Sequence, residues 1–395
     1  MGKLPVNIAI MAAFCHQAGH LVAPLASFPM PQPQQHTADY SSAAYEAQLQ
    51  QKLIRLNQDF ASFNLPEISV FRSPEKHFRM RTEFRIWHER GTAMYVMFSQ
   101  TDKRPYPIRE FPIGSERINQ LMPELMALVN RHECLRHKLF QVEFLTSLSN
   151  QALITLVYHK PLDEEWISAA TDLRKQLNVE IIGRSRKQKI LLERDHIIEC
   201  LKVNGREYRY QQVEGSFTQP NARVCEQMLS WAQEQTRHTG GDLLELYCGN
   251  GNFTLPLAQN FDRVLATEIS KTSVDSALYN SRLNQVENLQ IARMSSEEFT
   301  QAMDGVREFN RLKHISLNDY RFSTIFVDPP RAGLDPATCH LAQRFDNIVY
   351  ISCNPETLKD NLQTLTQTHQ ICTFAAFDQF PYTHHLECGV LLQRR

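Results

Sequence analysis

From residue 243 onward the chain alternates short apolar runs with longer helical stretches, and few architectures accommodate that rhythm. Residues 243–247, 263–268, 289–292, 324–327 and 348–352 have the length and composition of buried strands. Helical stretches separate them. The first opens at Phe253, the next runs through Asn284, and others cover 295–304, 338–343 and 355–367. Such an alternation predicts a mostly parallel, doubly wound α/β sheet of the Rossmann-like type. A final apolar run, 390–392, reads as its last strand.

The first half lacks that rhythm and predicts a mixed α+β unit. Leu49, Leu53, Leu56 and Phe60 recur at helical spacing within 45–63. Between 70 and 99 the apolar residues Phe78, Met80, Phe84 and Ile86, then Met94, Val96 and Phe98, recur largely at period two, with Glu89-Arg90-Gly91 as a hairpin turn. Further helices are expected over 115–129 and 162–177, and strands over 138–143, 152–159, 179–184 and 189–192. The turn-like Asn204-Gly205-Arg206 suggests a boundary near Gly205. The expected organisation is an extension over 1–38, an α+β domain over 39–205 and a Rossmann-like domain over 206–395.

The extension constrains little. Lys3 and the apolar run through Phe14 loosely resemble a secretory leader, but His16, Gln17 and His20 cut the run short. The polar stretch 31–36 is consistent with translation starting at Met30 and with a disordered extension. No apolar run is long enough to span a membrane. The nine cysteines form no closely spaced pair, which argues against a zinc site or an iron–sulfur cluster, and no metal is expected. Their odd number suits reduced thiols in the cytoplasm.

The segment Glu245-Leu-Tyr-Cys-Gly-Asn-Gly-Asn252 reads as a strand entering a glycine turn. Gly249 and Gly251 let the backbone approach a ligand closely. Glu268 ends the next strand, where a carboxylate can accept hydrogen bonds from both hydroxyls of a ribose. The third glycine of a dinucleotide fingerprint is missing, which suits a nucleoside cofactor without phosphates, such as S-adenosylmethionine. A purely structural tight turn is the alternative. Two further strand ends face the same crevice. One carries Asp328-Pro-Pro-Arg331, the other Cys353-Asn-Pro355. Cys353 lies at a strand end and not inside a strand, which favours a nucleophile over a packed thiol. Glu387, in His384-His385-Leu386-Glu387-Cys388, precedes the last strand and is the candidate base. The bland alternatives are a helix-capping Asp328 and a surface Glu387.

These residues sit in long motifs: Phe217-Thr-Gln-Pro-Asn221, Glu245 to Asn252 as above, Asp328-Pro-Pro-Arg-Ala-Gly-Leu-Asp335, Tyr350-Ile-Ser-Cys-Asn-Pro-Glu-Thr-Leu358 and Phe377-Asp-Gln-Phe-Pro-Tyr-Thr-His-His-Leu-Glu-Cys-Gly389. Through them the chain, from about residue 40 to 395, resembles the RNA uracil-5 methyltransferases. The resemblance implies Cys353 as nucleophile and Glu387 as proton acceptor. It implies S-adenosyl-L-methionine as methyl donor, with contacts from Gln219, Tyr247, Asn252, Glu268 and Asp328. It implies the T-loop uridine of tRNA, position 54, as target; T-loop-like RNAs such as tmRNA are expected further substrates, and the protein is expected to act as a monomer. The ribosomal-RNA branch of the family carries an iron–sulfur cysteine cluster and an extra small barrel. This sequence shows neither, which favours tRNA. The chemistry explains the cysteine. Carbon 5 of uracil is a weak nucleophile until a thiolate adds at carbon 6 and turns the ring into an enolate.

The chain's formal charge of -1 does not itself suggest RNA binding, so basic residues must be concentrated locally. Arg72, Lys76, Arg79, Arg81, Arg85, Arg90, Lys103, Arg104 and Arg109 share a window with only four acidic residues. Arg79, Arg81 and Arg85 would line one face of an unbroken strand. Arg184, Arg186, Lys187 and Lys189 form a second basic group. Phe78 and Phe84 read as core, while the resemblance implies Arg85 and Phe140 as RNA contacts. Two rival readings remain: an amino-group methyltransferase, whose Asp-Pro-Pro loop would be followed by an aromatic residue and not Arg331, and a binding module without turnover.

Overall fold

In the computed structural model, residues 39–99 and 102–395 are described. The extension 1–38, with Cys15 and Met30, lies outside the described residues. The described residues open with a helix, Ser42–Asp59, capped by the Ser41 hydroxyl, which accepts a hydrogen bond from the Ala44 amide at 3.2 Å. A short strand, β1 (Ile68–Phe71), follows.

Seven strands then form one sheet. They are β2 (Arg81–Glu89), β3 (Thr92–Phe98), β4 (Pro105–Pro107), β5 (Leu139–Thr146), β6 (Ala152–Tyr158), β7 (Glu180–Ser185) and β8 (Gln188–Leu191), in the order β4-β3-β2-β5-β6-β7-β8. The β2–β3 turn is tight, with Arg90 and Gly91 at φ 49° and 77°, as the Glu89-Arg90-Gly91 signal predicts. One side of the sheet is covered by the helices Glu116–Arg131 and Glu164–Leu177, and Phe78 and Phe84 lie in that core. β6 and β7 run parallel, joined by the helix Glu164–Leu177. That helix presses Trp166 onto Gly183, where a Cβ would collide with the indole ring and lie 2.7 Å from Leu162.

β9 (His196–Val203) and β10 (Arg206–Val213) form a separate two-stranded ribbon. Asn204 and Gly205 are its turn, at φ 46° and 86°. A domain boundary at Gly205 would therefore cut a hydrogen-bonded hairpin. The turn residues are real, but they close a ribbon and do not link two domains.

The remaining strands are β11 (Asp242–Leu246), β12 (Val264–Thr267), β13 (Leu289–Ala292), β14 (Phe322–Val327), β15 (Asn347–Ser352), β16 (His369–Phe377) and β17 (Glu387–Arg394). With β1 they build an eight-stranded sheet in the order β1-β16-β17-β15-β14-β11-β12-β13. Only β17 runs antiparallel to its neighbours. Alternate residues pack into different cores on the two faces: Leu244, Leu246, Ile325 and Val327 into one, Leu243, Phe326, Val349 and Ile351 into the other. Both faces being covered is why these strands read as continuous apolar runs. Strand order reverses between β11 and β14, so the ligand crevice opens at the carboxyl ends of those strands.

Two features depart from the sequence reading. The helix expected from Phe253 is a single turn, Thr254–Leu257, followed by a 3-10 turn, Ala258–Asn260. Asn260 is drawn aside by hydrogen bonds to Gln233 and Thr236. The first helix and β1, expected within the N-terminal unit, belong to the C-terminal sheet: β1 pairs parallel with β16, and Leu56 and Phe60 pack with Phe374 and Leu358. Edge pairing between segments three hundred residues apart leaves no local signal.

Gly183→Ala is expected to destabilise the folded chain by about 1–3 kcal/mol through overpacking against Trp166, read as a lower urea midpoint at unchanged slope.

Candidate active site

The strand register assembles the site. β15 and β17 are antiparallel, and their last pair at this end is Ser352 with Cys388. One step further along the same register, Cys353 stands opposite Glu387. On the other side of β15, Val327 pairs with Tyr350, so Asp328 leaves β14 at the same rim. Leu246 pairs with Val327 and with Thr267, which brings Tyr247 and Glu268 to that rim from β11 and β12. Cys353, Glu387, Asp328, Tyr247 and Glu268 thus share one crevice, although the sequence spreads them over 140 residues. Cys353 is half-buried at the opening. Cys388 is fully buried, which removes it as a rival nucleophile.

The electrostatics of the crevice are those of crowded acids. Burial pushes the Glu387 carboxyl up to about 8, and nearby Asp328 adds to the shift. Burial alone raises Asp328 to about 7. Glu245, in the middle of β11, is also raised to about 8, by burial first and then by Asp328. Burial pushes the Cys353 thiol up to about 12, Glu387 and Asp328 reinforce this, and the Arg331 guanidinium opposes it. Glu245 escaped the sequence reading as a site residue. The available signal was a lone carboxyl inside the apolar run Leu243-Leu-Glu-Leu246. These charges interact, so the cysteine and the carboxyls titrate as a set.

The glycine turn forms a cradle beside the acids. Tyr247, Gly249 and Gly251 all adopt positive φ, at 62°, 56° and 84°. A non-glycine residue held there is a local strain of the kind that concentrates at ligand sites. The Tyr247 hydroxyl is tied to Ser296 Oγ at 2.6 Å. Glu268 accepts from the Gly249 amide at 3.1 Å and the Ser270 amide at 2.7 Å, which orients its carboxylate at the rim. Asn252 is held by the buried Cys225, with Nδ2 3.3 Å from the sulfur, and its carbonyl accepts from Tyr210. Gln219 Oε1 accepts from Gln379 Nε2 at 2.7 Å, linking the Phe217 motif to the loop that carries Glu387. No Lys or Arg occurs in 245–254, so a phosphate would meet no cation there. The donor set fits an uncharged nucleoside with a ribose diol, and S-adenosylmethionine has that form with a positive sulfonium that suits nearby carboxylates. Among the described residues no group of three or more His, Cys, Asp or Glu is arranged to hold a metal ion, and no helix is long and apolar enough to cross a membrane.

The other face of the seven-stranded sheet is partly covered, with Leu145, Leu153 and Ile182 buried against Ile197 of β9, and is open to solvent around Arg85. Arg85 lies over the Phe140 ring at 3.9 Å, and His159 stacks on the far side of that ring at 3.9 Å. A register shift between Leu139 and Gln141 lets Phe140 and Gln141 both turn outward. His159 was not foreseen, because its neighbour in the stack is set by cross-strand pairing. The other basic groups behave differently from the sequence reading. Arg79 precedes β2, donates to the Arg81 carbonyl at 2.8 Å and is lowered to about 10 by burial, so it leaves the exposed face. Arg184 forms a bidentate pair with Glu214, both contacts 2.6 Å, and Lys189 joins it at 3.3 Å. Two members of that second basic group, Arg184 and Lys189, are thus engaged internally.

Residues 44–395 match the family model described as tRNA (Uracil-5-)-methyltransferase. The chain is 57% identical over 366 residues to the tRNA/tmRNA (uracil-C(5))-methyltransferase of Vibrio parahaemolyticus, covering 91% of this chain and 99% of that one. It is 58% identical over 354 residues to the protein of the same name from Teredinibacter turnerae, covering 89% and 97%. Its fold is similar to the crystal structure of Pyrococcus abyssi tRNA (uracil-54, C5)-methyltransferase in complex with S-adenosyl-L-homocysteine, with TM-score 0.67, 21% identity and coverage of 88% and 83%.

The unfolded chain releases a glutamate proton near the ordinary value of about 4.3, whereas the folded chain keeps that of Glu387 to about 8. In between, the folded state binds the extra proton, so this group lowers stability as pH rises and adds no further slope above its folded value. Glu387→Gln removes that contribution. Urea unfolding is expected to show the variant gaining on the parent from about pH 5 to about pH 8, by at most about 1.4 kcal/mol per pH unit.

Proposed function

The chain belongs to the tRNA (uracil-5-)-methyltransferase family, and from that premise we propose that its crevice methylates carbon 5 of the T-loop uridine at position 54 of tRNA, with Cys353 as nucleophile and Glu387 as base. The enzyme is S-adenosylmethionine-dependent, and T-loop-like RNAs such as tmRNA fall within its substrate class. The observation that carries the assignment of residues is the juxtaposition of Cys353 and Glu387 across β15 and β17, beside Asp328 at the switch-point rim.

S-adenosylmethionine supplies an activated methyl group when bound. The chain's own residues do the rest. Glu268 binds the ribose diol, and Tyr247, Asn252, Gln219 and Asp328 line the remainder of the cradle. The free site cannot hold both a thiolate and a full set of carboxylates. With the proton kept on Glu387, its repulsion of the Cys353 thiolate vanishes. The thiolate can then add to carbon 6 of uracil. Addition breaks the Cys353 S–H bond, whose proton leaves to solvent, and moves the negative charge onto the ring as an enolate; transfer of the methyl group to carbon 5 consumes that charge, and Glu387 is then free to lose its proton to solvent. After the methyl group is in place, the Glu387 carboxylate removes the carbon 5 proton, the C–S bond breaks, the expelled sulfur takes back a proton from solvent, and the site returns to thiol and neutral carboxyl. One proton is released per methyl transferred, and all bonds balance.

The solvent-facing stack of Arg85, Phe140 and His159 supports a role in RNA binding, since an unstacked loop base needs an aromatic or guanidinium surface. Arg331 after the two prolines, where an amino-group methyltransferase would carry an aromatic residue, speaks against that rival. The intact Cys353–Glu387 pair speaks against a module without turnover. We read the protein as a monomer of the cytoplasm. The free state of all eight described cysteines is consistent with a reducing compartment.

The decisive test uses tRNA carrying 5-fluorouridine. Fluorine replaces the proton that Glu387 must remove, so the reaction halts at the covalent stage. With S-adenosylmethionine, a denaturing gel is expected to show a protein–tRNA adduct that Cys353→Ala abolishes; an adduct surviving that change would overturn the assignment. Arg85→Ala is expected to weaken tRNA binding by roughly tenfold, on the order of a lost cation–π and phosphate contact, in a filter titration, with cofactor affinity unchanged.

A further inference from the structure

The connection between β16 and β17 ends in Glu387, and it is anchored from outside the sheet. Phe377 pairs with Glu387, so Asp378 and Glu387 are the two feet of the 378–386 connection. Asp378 is fully buried. Its two carboxylate oxygens are taken by the first helix of the chain: Lys52 Nζ donates to Oδ1 at 2.6 Å, and Gln48 Nε2 donates to Oδ2 at 2.9 Å. Lys52 Nζ also donates to the Phe380 carbonyl at 2.9 Å. Gln48 Oε1 accepts from the Tyr382 amide at 3.3 Å, where the chain turns with φ 62°. The Tyr382 ring is wedged edge-on against Tyr40 and Tyr45. The Asp378 amide donates to the Phe71 carbonyl at the end of β1. The neighbouring Gln379 reaches Gln219.

A lysine whose side chain is 5% exposed and an aspartate whose side chain is 0% exposed form a costly pair to bury. A loop that merely closed two strands would not need it. The bonds converge on the first half of the connection that leads to Glu387.

We infer that Lys52 and Gln48 are positioning residues for the methyl-transfer reaction: by clamping Asp378 and the Phe380 carbonyl they fix the 378–386 connection, and so hold the Glu387 carboxylate on the carbon 5 proton of the uracil adduct. The clamp rests on Glu387 being the base. It acts after the cysteine has added to the ring, so its loss separates two measurements that simple unfolding would move together. Misplacement of a reacting group by about 1 Å costs on the order of a hundredfold in rate.

The experiment compares Lys52→Met with the parent on two tRNAs. On 5-fluorouridine tRNA, which never uses the base, the variant is expected to form the covalent adduct to nearly the parental extent. On ordinary tRNA, turnover per adduct-competent site is expected to fall on the order of a hundredfold, while a denaturation-resistant methylated adduct accumulates. The double variant Lys52→Met/Asp378→Leu removes both buried charges. It is expected to regain the parental melting temperature and stay slow. Adduct formation and turnover falling in parallel, turnover unchanged in Lys52→Met, or full turnover in the double variant would each overturn the clamp. Glu387→Gln, run in the same gel, separates the two readings: if it too fails to accumulate adduct on ordinary tRNA, the base assignment is at fault and not the clamp.

Discussion

The pairing of an antiparallel strand into an otherwise parallel sheet governs the chemistry of this protein. A parallel neighbour to β15 would have brought another strand end, and another loop, to the rim. Because β17 enters from the opposite direction, its first residue and not its last meets the end of β15. Glu387 therefore starts a rigid strand at the very level where Cys353 leaves one. The ladder of backbone hydrogen bonds that ends beside them would hold the proposed reacting pair better than two loops could. The rest of the crevice follows from the parallel strands, whose carboxyl ends all open on the same side.

Gathering acids around a cysteine looks unfavourable for a nucleophile, since every carboxylate discourages a thiolate. The burial that raises the cysteine also raises Glu387, Asp328 and Glu245. Neutral carboxyls do not repel a thiolate. On the proposed mechanism, the same desolvation that makes Glu387 hold a proton in the free site gives it the strength to take one from carbon once the negative charge of the adduct is gone. A dry pocket with one proton too few for all its acids can serve both halves of such a reaction.

Charge on the N-terminal sheet is arranged by the same local accounting. With a net charge near zero, any attraction for RNA must come from locally placed basic residues. Arg184 and Lys189 are spent on Glu214, and Arg79 on a carbonyl. Arg85 is left on the solvent face, flat against an aromatic ring. A guanidinium held in that way offers both a stacking plane and a charge at little entropic cost.

The residue pattern alone determined the doubly wound sheet, the glycine cradle with Glu268, the three chemically armed strand ends and the β2–β3 hairpin, because each is written in a contiguous stretch: periodicity, a turn dipeptide, a polar residue closing an apolar run. It also contained the long motifs that tie the chain to its family. Other features could be settled only in three dimensions. That Cys353 faces Glu387, 34 residues later, depends on the register between β15 and β17. That the first helix and β1 complete the far sheet, that Gly205 turns a ribbon, that Phe140 lies between Arg85 and His159, and that Glu245 joins the acids of the crevice all depend on which strands become neighbours. Pairing of that sort is paid for by burial summed over the whole core, and no local run of residues records it.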